Sequence, residues 1–597
     1  MSKKRILFLS EASFLSTGFS TINRELLQRL AATGKYELGE IGSYARPDDP
    51  RIESFIKGRW KFWGNMPTTQ EESNEFGKPS SNPRDKGQNI NQFGANIFDK
   101  VCAEFQPDIL VCHRDNWMDS FTLRSPFRSW FKLFWYPTVD SHPQAEEWIQ
   151  DYELCDLVGA YSDYGIHVLK QQSKKIRLFP TPMRPGVDLT TFKPLDKKAI
   201  REKYCLNPDI PIIGTVQRNQ SRKQILDLID GFALMKKRFK GVPEVDKAVL
   251  LLHTSWPDNA FSFDYPRHIM RLQTMDFLPY SFKGIKDNVL QTMMCHSCGK
   301  KFVTFAVNLH GKPIQQVGSG AAILQPCMWC GQNTATCPTT GGGFEREELA
   351  EIYNLMDIYV QASIAEGDGM PVNEAKACGV PTLVTDYSAT AEKGRFPKEY
   401  IHLKERNVSP EDYTVNLGGD VLEVSSYRHE PETGCFRAFT SPESICNQLH
   451  EYLINHTLRQ QKSLDARKCA EENYDWDKLA KQWEFVLDNI IPKDRSKTWE
   501  SPIELLPTVV VKEVPPNLTD EQYVEFLYIN ILSYPRIDPE GAKMWITYLK
   551  QGVSRDTIMQ QFINIGQQQI NDTQARQKLR AEAANIQVKT QIKADWI

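Results

Sequence analysis

The sequence has no large excess of either charge and no long apolar run. Its 72 Lys and Arg residues against 75 Asp and Glu residues give a net charge of −3 over 597 residues. No overall basic surplus draws the whole molecule onto nucleic acid or an anionic membrane, although a local basic groove for nucleic acid is compatible with this total charge. No stretch approaches the roughly 18 uninterrupted apolar residues of a membrane span. The first residues resemble a signal peptide, but the apolar run from Ile6 to Leu9 is short and Glu11 follows, so we expect a buried first strand.

A disulfide framework is also missing from the sequence. The chain has 13 cysteines, an odd number, and only four of them stand in paired C-x-x-C spacing. This pattern, in a chain too long to be a small disulfide-stapled domain, predicts a reducing cytoplasm. With 41% hydrophobic and 25% charged residues, the composition excludes a mainly disordered, collagen-like or coiled-coil protein. We expect a globular protein of roughly three to five structural units.

What the sequence does contain is a repeated alternation of short apolar runs with helix-like stretches. Such alternation predicts α/β architecture, with parallel sheets covered by helices and ligands beyond the carboxyl ends of the strands. The alternation pauses at residues 185–188 and starts again with a strand predicted at Ile212 to Val216. This pause predicts two doubly wound domains. Residues 283–340 show little α/β character and are predicted to be an insertion.

The most informative stretch is EGDGMPVNEAKACGVP, residues 366–381. Gly367 and Gly369 let the backbone approach a ligand at a helix N-terminus, where phosphate or carboxylate is favoured. Glu374, in the first turn of that helix, can accept hydrogen bonds from a ribose diol. For a Gly-x-Gly alone, a capped surface loop with Glu374 favoured by the helix dipole is the competing interpretation.

The whole stretch resembles the E-x7-E region of the family-four retaining glycosyltransferases (glycosyl transferases group 1) of the GT-B fold. The family pattern is close to E-G-F-G-L-P-x-x-E-A-x-A-x-G-x-P. This chain matches it at Glu366, Gly367, Gly369, Pro371, Glu374, Ala375, Ala377, Gly379 and Pro381, and Met370 belongs to the same loop. The resemblance implies two Rossmann-like domains facing across a cleft. It also implies transfer of a sugar from a nucleotide-sugar donor with retention and without a required catalytic metal.

Other family positions follow in the expected order. Residues 185–194 resemble the interdomain segment N-G-V-D-x-x-x-F-x-P. The family loop G-R-x-x-x-x-K-G corresponds to residues 217–224, in which Arg218 and Lys223 keep the two cations that hold the donor diphosphate while both glycines are replaced by Gln. Gly18 occupies the place of the glycine loop after strand one. Without the resemblance, the two cations would be ordinary surface residues about as often as ligands.

The resemblance also implies roles around the transferred sugar. Glu366 would contact the donor sugar, and Glu374 the ribose of the nucleotide. The family often has a His in a T-x-H context after a strand; here Asp140 stands in that place and His142 follows it. We predict Asp140 and His142 on the acceptor side of the reaction, with a helix-capping Asp as the alternative. His113, with Asp115 nearby, is a second candidate for the cleft, against the more common packed His.

A second strong pattern is a pair of C-x-x-C-G turns, at Cys295 and Cys298 and at Cys327 and Cys330, with 28 residues between Cys298 and Cys327. Four thiolates on two tight turns predict a closed tetrahedral structural zinc site. Two unrelated reduced pairs or a redox pair are the alternatives, and Cys337 and His296 are spare ligands nearby in sequence. Loss of the metal is expected to unfold only this segment. Two roles are open for this segment: it stiffens the insertion, or it contacts nucleic acid or another chain.

Two further segments suggest partners. Cations alternate with aromatic residues from Arg59 to Trp63, a pattern that fits either stacking on sugars or bases or buried packing. Residues 523–555 are similar to a short helical domain of unknown function found in bacterial surface and glycosylation proteins, which suggests a protein partner.

The predicted division of the chain into domains is residues 1–190, an N-terminal acceptor-side Rossmann-like domain; 191–470, a nucleotide-sugar domain; 283–340, the zinc ribbon inserted in it; 471–492, a helix crossing back to the N-terminal domain; 493–516, a linker; 517–570, a helical accessory domain; and 571–597, a polar tail.

The acceptor is not fixed by these patterns. A glycan, a protein and a nucleic acid all remain, including a modified nucleobase in DNA. A non-catalytic binding or scaffold protein on a degenerate transferase fold is the alternative from another class, because of the Gln residues beside Arg218 and Lys223 and the Asp at position 140. Intact Glu366 and Glu374 argue against it.

Overall fold

The computed structural model describes residues 3–258, 262–317, 320–339, 343–413, 417–431, 433–501, 514–532 and 538–594. The N-terminal domain is built on six parallel strands in the order β3-β2-β1-β4-β5-β6. These strands are β1 (Lys4–Glu11), β2 (Tyr36–Ser43), β3 (Lys61–Gly64), β4 (Ile109–Cys112), β5 (Lys132–Trp135) and β6 (Leu157–Val158). The helices are α1 (Gly18–Ala32), α2 (Gln70–Phe76), α3 (Ala95–Phe105), α4 (Asn116–Asp119), α5 (Glu146–Glu153) and α6 (Asp163–Gln172).

The second domain contains the larger sheet, in the order β10-β9-β8-β7-β14-β15-β16 with β13 also on β9. Its strands are β7 (Ile212–Val216), β8 (Val249–His253), β9 (Val289–Cys295), β10 (Lys301–Phe305), β13 (Ala335–Thr336), β14 (Ile358–Gln361), β15 (Thr382–Thr385) and β16 (Gly419–Leu422). Two hairpins lie outside it, β11 (Gln315–Val317) with β12 (Gly320–Ala322) and β17 (Val424–His429) with β18 (Phe436–Thr440).

Fourteen α-helices follow the first domain within the described residues. They are α7 (Lys197–Lys203), α8 (Ile225–Arg238), α9 (Pro243–Lys247), α10 (Tyr265–Thr274), α11 (Arg346–Leu355), α12 (Met370–Ala377), α13 (Ser388–Ala391), α14 (Ile401–Glu405), α15 (Pro442–Ile454), α16 (His456–Asn473), α17 (Trp476–Asn489), α18 (Asp520–Asn530), α19 (Pro539–Lys550) and α20 (Arg555–Ala594). The predicted α/β architecture with two parallel sheets is therefore confirmed. No helix in the described ranges is both long and apolar enough to span a membrane.

The cysteine-bearing segment is continuous with the second sheet. Strand β9 pairs in parallel with β8, and β10 and β13 pair antiparallel with β9. Met293 and Cys295 of β9 are fully buried in the same core as Leu252 of β8. The expectation that residues 283–340 have little α/β character is wrong for β9. Six of the seven residues of β9 are buried, as expected for a strand inside a sheet that is covered on both faces.

Helix α17 crosses back onto the first sheet. The Trp483 indole packs against Phe8, Phe134 and Tyr136 at ring-centroid distances of 6.4, 5.3 and 4.9 Å. At the interdomain segment, the Val187 amide donates to the Tyr474 carbonyl at 2.7 Å. The two chain crossings between the domains therefore lie side by side.

The C-terminal segments also contact the N-terminal domain. Trp499 is 1% exposed and donates through Nε1 to the Pro107 carbonyl at 3.0 Å, so the first part of the predicted linker is packed. Helix α20 runs through residue 571, where the polar tail was predicted to begin, and Arg576 donates to the Pro126 carbonyl at 2.6 Å. Residues 502–513 of the linker and 595–597 of the tail lie outside the described residues.

Candidate functional site

The loop of residues 366–369 joins β14 to helix α12 at the carboxyl edge of the second sheet. Gly369 precedes α12 with φ +79°, and a Cβ there would lie 3.2 Å from both Gln361 and Thr390. A Cβ at Gly367 would lie 2.3 Å from Thr138 Cγ2 of the first domain. Both glycines are therefore required by the backbone conformation and by the close approach of the two domains.

Glu366 lies at the centre of a compact polar cluster. Its carboxylate is ion-paired with Lys223 and lies 3.2 Å from Arg222 Nη1, and it accepts a hydrogen bond from Gln361 Nε2 at 3.0 Å. The Glu366 amide donates to Ser388 Oγ at 3.0 Å. Burial opposes ionisation, but the two cations outweigh it and lower the pKa of Glu366 to about 2. The side chain is thus a fixed carboxylate at neutral pH.

Lys223 lies on a 3-10 turn, Ser221–Lys223, whose shape depends on the two unexpected glutamines. Gln224 adopts φ +49°, a left-handed conformation that a glycine would take without strain. Gln217 donates through Nε2 to the Lys223 carbonyl at 3.3 Å and so supports the turn. Burial lowers the pKa of Lys223 to about 8, against the pull of Glu366. The replaced glycines therefore leave the lysine directed at Glu366.

The structure does not bring Arg218 to this cluster. Its guanidinium forms a fork with Asp258, with Nε–Oδ2 3.0 Å and Nη2–Oδ1 2.9 Å. Arg222 takes the second cationic position at Glu366 instead. Arg222 stands directly before Lys223 in the sequence, but the resemblance to the family loop implies the role for Arg218.

Glu374 lies one helical turn along α12. Its Oε2 accepts a hydrogen bond from the Tyr353 hydroxyl at 2.6 Å, and burial raises the pKa of Glu374 despite that bond and the nearby positive charge of Arg346. Arg346 itself reaches across to the first domain and pairs with Glu25 at 2.6 Å. Glu374 is therefore near an ion pair that joins the two domains.

The first domain presents its own loop to this site. A Cβ at Gly18 would lie 4.0 Å from Met370 Sδ, so the predicted glycine loop and the α12 loop face each other. Thr17 caps helix α1 by accepting from the Ser20 amide at 3.2 Å, and its hydroxyl donates to Glu11. Glu11 thus holds the loop from the end of β1. Position alone, at the carboxyl end of the first strand, is the signal that could have identified it.

Asp140 and His142 follow β5 at the edge of the cleft. Asp140 Oδ2 pairs with Arg437 Nη1 at 2.9 Å, and the His142 carbonyl accepts from the Phe436 amide at 2.9 Å. Arg437 and Phe436 belong to β18, so the β17–β18 hairpin of the second domain holds this edge of the first. Burial lowers the pKa of His142, which favours the neutral imidazole.

The second histidine candidate is a packed residue. His113 is fully buried, its Nε2 lies 3.3 Å from Ser10 Oγ and 3.1 Å from the Phe19 carbonyl, and burial lowers its pKa to about 3. Asp115, two residues on, instead lines a cavity of 720 Å³ together with Asp140. The side chain of this segment that is open to a ligand is therefore the carboxylate of Asp115, not the imidazole of His113.

The four predicted cysteines converge. Cys295, Cys298, Cys327 and Cys330 hold their sulfurs within 4.8 Å of one another, with two Sγ–Sγ distances of 3.7 Å. A tetrahedral site with Zn–S of about 2.3 Å separates its sulfurs by about 3.8 Å. The two turns are alike: the Gly299 and Gly331 amides donate to the carbonyls of the first cysteine of each turn, both at 2.9 Å. The donor set and its spacing fit a tetrahedral zinc ion.

The two spare ligands have other partners, and so does Lys301, a basic residue just after the first cysteine turn. His296 Nε2 lies 2.9 Å from Thr336 Oγ1, and Cys337 is buried 3.8 Å from Met293 Sδ. Lys301 pairs with Glu348 at 2.9 Å. Trp60 is 5% exposed and donates to the buried Glu40 at 2.7 Å, so the aromatic-basic segment packs into the first domain.

Two facing Rossmann-like domains, a crossing helix and a carboxylate held by cations in the cleft define a GT-B protein. Residues 339–393, which contain the Glu366 loop, match the family Glycosyl transferases group 1, and residues 511–565 match a domain of unknown function, DUF4214. No curated protein matches the chain.

Solved structures share the architecture. A sucrose-phosphate synthase from Thermosynechococcus elongatus has a TM-score of 0.51 and 17% identity over 81% of this chain and 98% of that one. A glycosyltransferase from Rickettsia africae ESF-5 has a TM-score of 0.49 and 14% identity over 82% and 100%. Anabaena HepE in complex with UDP-glucose has 0.49 and 12% over 81% and 100%. The two facing domains and the similarity to the sucrose-phosphate synthase, with a TM-score above 0.5, show the GT-B fold, and the family match supports glycosyltransferase as the enzyme class.

Proposed function

We propose that the protein transfers a sugar from a nucleotide-sugar donor to an acceptor with retention of the anomeric configuration. The observation that carries this proposal is the meeting of Glu366, Lys223 and Arg222 beside the N-terminus of α12, opposite the glycine loop of the first domain. Two cations and a helix N-terminus form a site for a diphosphate. A carboxylate fixed beside them can accept hydrogen bonds from sugar hydroxyls.

The expected chemistry is cleavage of the sugar–phosphate bond while negative charge grows on the leaving diphosphate. Lys223 and Arg222 already stand where that charge develops, so little reorganisation is needed during the reaction. Because these cations do the work of charge neutralisation, the step requires no catalytic metal. Arg218 retains its predicted role in donor binding by exchanging Asp258 for phosphate, a change that donor binding must drive.

Glu374 is proposed to hold the ribose of the nucleotide. The Tyr353 hydroxyl fixes one carboxylate oxygen, which leaves the other for a ribose hydroxyl. On the opposite side, Asp140 and His142 are proposed to border the acceptor, because they close the edge of the cleft next to Thr138 and Gly367.

The cysteine cluster is proposed to be a structural zinc site. Four protein thiolates fill a tetrahedral shell and leave no position for a substrate, which is the arrangement of structural rather than catalytic zinc. The thiolates must stay reduced to bind metal, so a reducing cytoplasm remains the predicted location. The C-terminal helical module, anchored through α20 to the first domain, is proposed to dock a protein partner.

A panel of UDP-, GDP- and ADP-linked sugars tests the function. We expect one of them to raise the melting temperature, because a ligand well above its dissociation constant stabilises the fold it binds. The same donor should be hydrolysed slowly in the absence of acceptor. The fork between Arg218 and Asp258 favours the alternative of a non-catalytic scaffold; if no donor shifts the melting temperature, that alternative replaces the proposal.

A further inference from the structure

A cavity of 720 Å³ lies between the first domain and the β17–β18 hairpin of the second. It lies beyond the carboxyl ends of β4 and β5, and helix α5 and the turn of the β17–β18 hairpin close it on the other sides. Its volume is within the range of about 300 to 1,000 Å³ that small-molecule sites occupy. Thr138, which touches the Gly367 position, lines it. One residue of the cavity wall therefore lies against the donor loop.

The charge of the cavity wall is negative. Six carboxylates line it against three cations; the carboxylates are Asp85, Asp115, Asp140, Glu147, Asp151 and Glu430, and the cations are Arg84, Lys86 and Arg437. Each cation is already paired with a wall carboxylate, at distances from 2.7 to 3.3 Å. A polyanion gains affinity from unpaired Lys and Arg. This wall offers none of them, so it disfavours a nucleic-acid acceptor.

Two indoles complete the wall. Trp117 is 37% exposed, and its ring is fixed by edge-to-face packing on Phe93 at 5.2 Å. Trp148 is half-buried on α5 and lines the same space. An exposed, fixed aromatic face next to carboxylates offers an apolar platform with hydrogen-bond acceptors around it. The C–H face and the hydroxyl rim of a sugar ring match that pattern.

Asp115 supplies a hydrogen-bond acceptor close to the proposed site of sugar transfer. It follows β4 as Asp140 follows β5, and those strands are neighbours. Asp140 is held by Arg437, whereas Asp115 forms no ion pair within the described part of the chain. Burial and the charge of Asp140 raise the pKa of Asp115 to about 6. The two carboxylates therefore offer one anchored and one adaptable partner for hydroxyl groups.

We propose that this cavity binds a short carbohydrate acceptor, which stacks on Trp117 and Trp148 and hydrogen-bonds through its hydroxyls to Asp115 and Asp140. The inference rests on the proposed function, because a transferase places its acceptor beside the donor. It commits the acceptor to the glycan class, and it makes a peptide or a DNA nucleobase an outcome of the test.

The test measures binding first, without any donor. Maltotriose, cellotriose, chitotriose, a Ser/Thr-containing peptide and a single-stranded deoxyoligonucleotide are titrated into the full chain, and tryptophan fluorescence is followed. We expect at least one trisaccharide to bind and the other two classes to leave the signal unchanged. Binding of the oligonucleotide or the peptide instead, or of none of the trisaccharides, would overturn the inference whether or not a donor is turned over.

Variants locate the effect. For Trp117→Ala the affinity is measured by isothermal titration calorimetry, because the substitution removes one of the fluorophores. The variant should weaken trisaccharide binding about tenfold or more, the loss expected when one aromatic stacking face is removed, and should leave the melting-temperature shift caused by the donor in place. Phe277→Ala, at an 81% exposed aromatic that does not line the cavity, is the control. Equal trisaccharide affinity of Trp117→Ala and the control contradicts the inference. If no donor raises the melting temperature of the wild-type protein, the proposed function is contradicted instead.

Discussion

The two sides of the cleft differ in how their charges are arranged. On the donor side, two cations converge on the single carboxylate Glu366, and the helix N-terminus adds to their positive field. On the acceptor side, carboxylates outnumber cations and the cations are already paired. The first arrangement is suited to a diphosphate and the second to neutral hydroxyls. Under the proposed function, the cleft separates the donor from the acceptor by charge.

The largest expected effect is on the stability of the second domain, which carries the donor side of the cleft. Cys295→Ser with Cys298→Ser should lower the free energy of unfolding of the second domain by several kcal/mol, because zinc binding is part of its folding energy. Cys295 is buried in the sheet core, so the effect should reach beyond the ribbon. Scanning calorimetry should show one transition shifted and the transition of the N-terminal domain unchanged. Metal analysis of the untagged wild-type protein should find about one zinc per chain.

Two results would contradict this account of the cysteines. One is wild-type protein with far less than one zinc per chain. The other is a double variant whose melting curve overlays that of Cys205→Ser, a control at an exposed cysteine outside the cluster.

Next in size is the loss of one donor-side cation. Lys223→Ala should lower kcat/KM for the donor by about 10² to 10³, the usual cost of removing one preorganised group at a developing charge. Arg222→Ala should cost less, since its side chain is 46% exposed and screened by water. Arg218→Ala should cost least, because Asp258 already holds the guanidinium. A ranking with Arg218 first would show that the family pattern, rather than this geometry, identifies the phosphate ligand.

The pH dependence of the donor side follows from the same lysine. The pKa of Lys223 is lowered from 10.5 to about 8, chiefly by burial, so the free enzyme loses this positive charge as the pH rises through 8. We expect kcat/KM for the donor to fall about tenfold per pH unit above that value. In Lys223→Arg this fall in kcat/KM above pH 8 should disappear, because arginine stays protonated. A fall at the same pH in both proteins would assign the titration to another group.

The smallest expected effect concerns the ribose. Glu374→Ala should raise the KM for the donor about tenfold and leave kcat nearly unchanged, because a contact made equally in the ground and transition states is uniform binding. Tyr353→Phe, which removes only the hydroxyl that holds Glu374, should raise KM by a smaller factor. An unchanged KM in Glu374→Ala would remove this residue from the nucleotide site.

The donor side could be predicted from the sequence because its main signal is contiguous. Residues 366–381 form one loop and one helix, so their spacing alone fixes which side chains share a face. The identity of the second cation could not be predicted, since Arg218 and Arg222 lie in the same loop after β7 and only the tertiary contacts, with Asp258 for one and Glu366 for the other, distinguish them. Likewise β9 was assigned to an insertion because its pairing with β8 joins residues 39 positions apart, from Leu250 to Val289.

The acceptor side was less accessible to sequence reasoning. Its cavity joins the turn at Arg84, the ends of β4 and β5, helix α5 and a hairpin near residue 430. No local pattern links segments so far apart. Asp140 is predicted from its resemblance to the family's T-x-H position, but its partner Arg437 comes from the other domain. Asp115 was noted only as a neighbour of His113, and the histidine proved to be packing.

The most direct test of the central claim is a proton NMR time course of the full chain with the donor that stabilises it and the trisaccharide that binds it. The account predicts release of the nucleotide together with a new glycosidic anomeric signal of the same configuration as the donor. Release that depends on Lys223 and on Trp117 would join both sides of the cleft in one reaction. No consumption of any donor in the panel, or a product of inverted configuration, would contradict it.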